Sequence, residues 1–171
     1  KGRVAVVAAD RLTCTGTGGG RGWTVLLDAD ELLPNTGKRT FTVTCTENWS
    51  ACVGVVSPSA DLDEKLGWKA ESVCLDSHGL IRANGSYQGH GRGFGKKDNV
   101  RCEAHTDTPG GIPLILFVNG EEAGRATAKA GWRFAVGGWG DTAAFELDAA
   151  AAAAAAAVVV AGPGKGSRFG P

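Results

Sequence analysis

Residues 112–146 read IPLILFVNGEEAGRATAKAGWRFAVGGWGDTAAFE. An apolar run, residues 112–118, is interrupted by Pro113 and ends at Asn119-Gly120. Asn-Gly is the strongest short hairpin signal, because both residues accept φ > 0. The return, residues 121–128, is polar. Two further strand-like runs follow at 132–136 and 142–147, and between them lies Gly137-Gly138-Trp139-Gly140-Asp141. A large ring among glycines reads as a loop. A loop tryptophan suits a binding rim, where an exposed ring meets a partner. The stretch predicts a β-sandwich whose loops contact another molecule.

Working outward, the rest of the chain has the same texture. Residues 38–45, KRTFTVTC, alternate strictly: Phe41, Val43 and Cys45 take one face, Thr40, Thr42 and Thr44 the other. Residues 99–106 place Val100, Cys102 and Ala104 inward and Arg101, Glu103 and His105 outward. Residues 49–56, WSACVGVV, carry more apolar residues and read as a central strand. Residues 72–75 pair with 80–83 through a turn at 76–79, and Asn84-Gly85 marks another turn. Runs at 4–9, 11–17 and 23–27 are three more short strands. Glu47-Asn48 reads as a turn, residues 57–68 as a polar loop, and residues 86–98 as a Gly-rich basic loop. The total is ten to twelve short strands with no amphipathic helix, the pattern of an all-β antiparallel sandwich.

Length and composition agree. The 171 residues make one domain with room for a substantial core. The 18 basic and 18 acidic residues cancel, which argues against broad attraction to nucleic acid or an anionic membrane. Residues 149–157 are nine alanines, followed by three valines and a Gly/Pro-rich end. They are expected to form a linker or tail outside a domain that spans residues 1–148, and to be too short to insert in a membrane. The absence of Met suggests a segment of a longer protein with other domains. Five cysteines in strand-like runs, with no CxxC pair, suit free buried thiols in a reducing, cytoplasmic setting.

Chemistry is sparse. The loop TGGGRG at 17–22 lacks the helix and Lys-Ser/Thr pair of a phosphate cradle. Glu146 and Asp148 share a strand face, but the third acidic residue of a sandwich hydrolase is missing. Asp61, Asp63 and Glu64 lack the ligand pattern of a calcium loop. Ser77-His78 has no nucleophile elbow, and His90 and His105 have no paired nucleophile. The aromatic and basic residues at 87–97 are read as a solvated loop rather than a grip on single-stranded RNA. The chain is expected to be no enzyme and to need no cofactor or metal.

The motifs, in order and spacing, resemble a SPRY domain. The resemblance rests on residues 37–43 (GKRTFTV), Val53-Gly54-Val55, Leu66-Gly67, residues 72–76 with Gly79, Lys97-Asp98-Asn99-Val100, and Phe117-Val118-Asn119-Gly120 with Gly124. Thr42 stands where the family has an acidic residue, and Ser72-Val73-Cys74 lacks its tryptophan, so the resemblance is to a divergent member. It implies a bent sandwich of two antiparallel sheets and a non-catalytic module that binds a protein or peptide partner. Peptide-binding members use a rim of several loops. Carried over, that rim comprises Thr17, Gly18, Gly19, Gly20 and Arg21, then Trp49, Leu62, and a segment like AVWG ending in Gly138, Trp139 and Gly140. A lectin-like sandwich is the rival reading, since Trp139-Gly140-Asp141 resembles WGxE of galectins, although the galectin His-Asn-Pro-Arg segment is absent. A structural subunit of a large assembly is a third.

Overall fold

The computed structural model describes residues 6–7, 13–15, 22–26, 31–48, 50–68, 70–139 and 143–147. Among them are thirteen strands and no helix: β1 (Val6–Val7), β2 (Thr13–Thr15), β3 (Gly22–Leu26), β4 (Lys38–Asn48), β5 (Cys52–Val56), β6 (Ser72–Asp76), β7 (Leu80–Ala83), β8 (Ser86–His90), β9 (Asn99–His105), β10 (Ile112–Val118), β11 (Glu121–Ala128), β12 (Arg133–Trp139) and β13 (Ala143–Leu147). They form two antiparallel sheets. One runs β1-β2-β13-β4-β9-β10-β11, the other β3-β12-β5-β6-β7-β8. No helix of the described residues is long and apolar enough to cross a membrane.

Alternation places the core between the sheets. Ile112, Leu114, Leu116 and Val118 of β10 are buried while the residues between them are half-buried. β4 sends Phe41 inward to stack on Phe134 of β12, with centroids 5.6 Å apart, joining one sheet to the other. The hairpin turn at Asn119-Gly120 has φ of 52° and 84°, and Asn84-Gly85 repeats it at 52° and 79°. Both fit the type I′ geometry that matches strand twist. Pro113 does not break β10. It pairs with Thr127, and the pairing with β9 begins only at Leu114, so on that side its missing N–H faces an edge.

β5 and β6 are buried along their whole length. Their inner residues join the main core. Cys52, Val56, Cys74 and Ala135 of β12 form a second cluster on the outer face with Leu66, and Ala60 and Leu62 pack against it. The segment 57–68, expected as a polar loop, is therefore a lid on the six-stranded sheet.

Two expectations need correction, and one outward residue is more covered than alternation alone suggests. Glu47 and Asn48 continue β4 instead of turning. Residues 86–90 are the edge strand β8, paired with β7, not loop. Glu103 faces outward yet is only 6% exposed. Lys38, Arg101 and His105 approach it at 3.5, 3.3 and 3.5 Å.

Cys45, Cys52, Cys74 and Cys102 are free and buried; Cys14 has no described side chain. Burial, aided by Asp98 and Glu47, pushes the Cys45 thiol from 9.0 up to about 12. Burial, with Glu103 beside it, does the same for Cys102. A raised thiol value stabilises the fold fully below the unfolded value, and the gain is lost as pH climbs through the folded one. The urea midpoint is expected to hold below pH 9.0 and to fall toward pH 12, less steeply in Cys102→Ala. Equal slopes in the two proteins would contradict this account.

Candidate functional site

The three described residues of the expected rim, Leu62, Gly138 and Trp139, meet around β3. Gly137 and Gly138 are not loop residues. They belong to β12 and pair with Thr24 and Trp23, while Trp139 closes the strand opposite Gly22. Gly138 is buried within the sheet. Inward Phe134 and Val136 alternate with outward Ala135, so Trp139 lies on the outer face. Its side chain is 44% exposed.

The lid is tied to the same strand. Thr24 N–H donates to the Leu62 carbonyl at 2.9 Å, and Thr24 Oγ1 donates to the Glu64 carbonyl at 2.7 Å. Gly22 is required by this approach. A Cβ there would press on the Lys65 backbone nitrogen and lie 2.6 Å from Lys65 Cβ. Lys65 is 4% exposed. Its ammonium donates to Ser50 Oγ at 2.8 Å and sits 3.9 Å from the Trp68 ring centroid. Ser50 leads into β5, directly after Trp49. Cys74 Sγ donates to the Leu66 carbonyl at 3.3 Å. A hydrogen bond with Cys52 and burial raise the Cys74 thiol well above its ordinary range.

Thr17, Gly18, Gly19, Gly20, Arg21, Trp49 and Gly140 lie outside the described residues. Sequence reasoning missed Lys65, Trp68 and Ser50. The available signal was Lys65-Leu66-Gly67-Trp68, two apolar residues about a glycine with φ of 83°, interrupting an otherwise polar run.

The groups weighed for catalysis do not converge. Asp76 Oδ1 accepts the N–H groups of His78 and Leu80 at 3.0 and 2.9 Å, capping the β6–β7 turn. Glu146 is exposed opposite Thr44 of β4. His105 lies beside Glu103 on the seven-stranded sheet, away from the lid. Among the described residues no group of three or more His, Cys, Asp or Glu side chains could hold a metal.

In sequence, no family model and no curated protein matches the chain. Solved structures do match in shape. A human SPRY domain superposes with TM-score 0.70 at 19% identity, covering 86% of this chain and 96% of its own. The SPRY domain of human HERC1 gives 0.62 at 16% identity, covering 83% and 90%. Two antiparallel sheets packed as a β-sandwich are what the chain has in common with them. The chain has the fold of a SPRY domain.

Proposed function

We propose that the chain is a non-catalytic interaction module that takes a peptide segment or partner domain at the edge where β3, the end of β12 and the lid meet. Trp139 and Leu62 supply apolar contact. Gly138, paired with Trp23 of β3, sets the strand end from which Trp139 projects. Thr17, Gly18, Gly19, Gly20, Arg21, Trp49 and Gly140 complete the rim by their places in the chain. The observation that carries this reading is the Trp139 ring, 44% exposed at a strand end fixed on one side by β3. A rigid, half-exposed tryptophan is a low-entropy anchor, and anchors of this kind dominate interface energies. The proposed setting is intracellular and reducing, which suits four buried free thiols. Other domains of the same parent chain are proposed neighbours.

Trp139→Ala tests the reading. Partner affinity is expected to fall roughly thirtyfold or more, the equivalent of about 2 kcal/mol for an aromatic anchor, with the thermal midpoint unchanged. Partners recovered from cell extract by the two proteins, quantified side by side, supply the readout. Equal recovery would remove Trp139 from the contact. Loss of the folded state would make it a core residue.

A further inference from the structure

The seven-stranded sheet ends at β11, and its ladder fixes which way the main-chain groups of β11 point. Asn119 N–H donates to the Asn99 carbonyl of β9 at 2.8 Å. Along an antiparallel strand such groups turn alternately to one neighbour and the other. Asn119, Phe117, Ile115 and Pro113 therefore turn toward β9, and Leu116, Leu114 and Ile112 toward β11. Arg125, opposite Ile115, and Thr127, opposite Pro113, then point their N–H and C=O groups away from β10 and out of the sheet. Both residues are exposed, and among the described residues none bonds these four groups. Other edges are guarded. Thr24 of β3 gives its N–H to the lid, and β8 is bulged against β7. The bulge of β11 itself is at Ala123, and it is covered by Gly91, where a Cβ would press on the Ala123 carbonyl oxygen. From Gly124 to Ala128 the strand is regular and has no proline.

A regular, unguarded edge is a template for another strand. We propose that this edge pairs with β11 of a second copy of the chain, antiparallel, about a two-fold axis through Ala126. Charge selects the register. An axis at Arg125 sets Arg125 against Arg125, and an axis at Thr127 sets Arg125 against Lys129. Like charges directly opposite are destabilising. An axis between Ala123 and Gly124 is closed by Gly91. An axis at Ala126 sets each Arg125 against the other copy's Thr127, both with outward main-chain groups, and the small Ala126 against itself. Each Arg125 keeps its own Glu122, bonded at 2.8 and 2.6 Å, so the arginines bring no net charge to the axis. Charge also selects the occupant. The strand opens with Glu121 and Glu122, and Lys129 follows its end. Glu121 holds Arg92, while reversal brings Lys129 of one copy beside Glu122 of the other. An edge that is its own complement when reversed fits a second copy better than an unrelated strand. A two-fold contact of this kind closes at two copies. β3 and the Trp139 rim lie across the six-stranded sheet from β8, whose end adjoins β11 through Gly91, so the proposal does not depend on that rim.

The test is sedimentation velocity of the whole chain over about a hundredfold range of concentration, since mass action makes a dimer concentration-dependent. The pairing is short, so a weak dimer is expected, with at least half of the parent chain dimeric by about 1 mM. Thr127→Pro removes an outward N–H without touching a bond to β10, and is expected to weaken the dimer at least about tenfold. Thr127→Lys sets a lysine against the second copy's Arg125, and Thr127→Glu sets a glutamate there. Symmetry counts each pair twice, so the lysine variant is expected to dimerise about tenfold more weakly than the glutamate variant. Thr127 is exposed, so these two variants stay informative if the proline variant unfolds, which circular dichroism reports. A parent chain still monomeric at about 1 mM, a dimer untouched by a folded Thr127→Pro, or equal dimerisation of the lysine and glutamate variants would overturn the proposal.

Discussion

Phe134→Ala is expected to remove about 3–5 kcal/mol of folding stability. Phe134 is 1% exposed and stacks on Phe41 across the space between the sheets. β12 is flanked by β3 and β5, and β4 by β13 and β9. Their ladders hold the two backbones apart, so the walls cannot collapse into the space the ring leaves. Cost in such sites grows with the cavity that persists. Urea denaturation of the variant beside the parent chain measures it. A loss under about 1 kcal/mol, the range of surface substitutions rather than core truncations, would mean the sheets do not meet through this pair.

Gly54→Ala is expected to cost at least about 3 kcal/mol, the upper end of overpacking, although it adds a single methyl group. An added Cβ would press on the Val73 carbonyl oxygen and lie 2.7 Å from Cys74 Cα, both backbone atoms of β6. Gly54 is paired with Cys74 on one side and Ala135 on the other. β5 therefore cannot shift without breaking rungs with both neighbours. Gly120→Ala makes the comparison. Its Cβ meets nothing within 4 Å, but φ is 84°, so the cost is conformational strain alone, about 1 kcal/mol. The expected order of denaturation midpoints is parent, Gly120→Ala, then Gly54→Ala. A Gly54→Ala protein as stable as the Gly120→Ala one would contradict the β5–β6 register.

These glycines also show why some elements were hard to read. β4, β9 and β10 were legible because one face is buried and the other wet, which writes a period of two into the residues. The Asn-Gly turns were legible because few residues accept φ > 0. Gly137 and Gly138 were misread as loop. They sit inside β12 between two paired neighbours, and a residue without a side chain leaves no alternation to see. β8 was missed for the opposite reason. It is an edge strand burying little, so Ser86, Tyr87 and Gln88 carry no apolar signature. β5 and β6 lack alternation because the lid covers their second face. That tertiary fact rests on Leu66 meeting Cys52 and Cys74, residues distant in the chain.

Of the proposed rim, the exposed tryptophan was legible. Trp139 stood out as a large ring among glycines, and its exposure follows, though from a strand end. Leu62 was placed by resemblance alone. The open edge of β11 was not legible. Residues 121–128 read as a polar return strand, but only the order of the sheet leaves Arg125 and Thr127 with no described strand beside them.

Site-specific photo-crosslinking tests the central claim, that the Trp139 edge is where a partner docks. A benzophenone side chain replaces Trp139 in one preparation and Leu33 in another. Leu33 is a fair control because it is 49% exposed and its segment is tied to the start of β12, through Leu32 N–H to the Trp132 carbonyl at 2.7 Å, whereas Trp139 ends that strand. The account predicts a discrete crosslinked partner band from position 139, competed away by excess unlabelled parent chain, and none from position 33. Equal bands from both positions, or a band from position 33 alone, would contradict it.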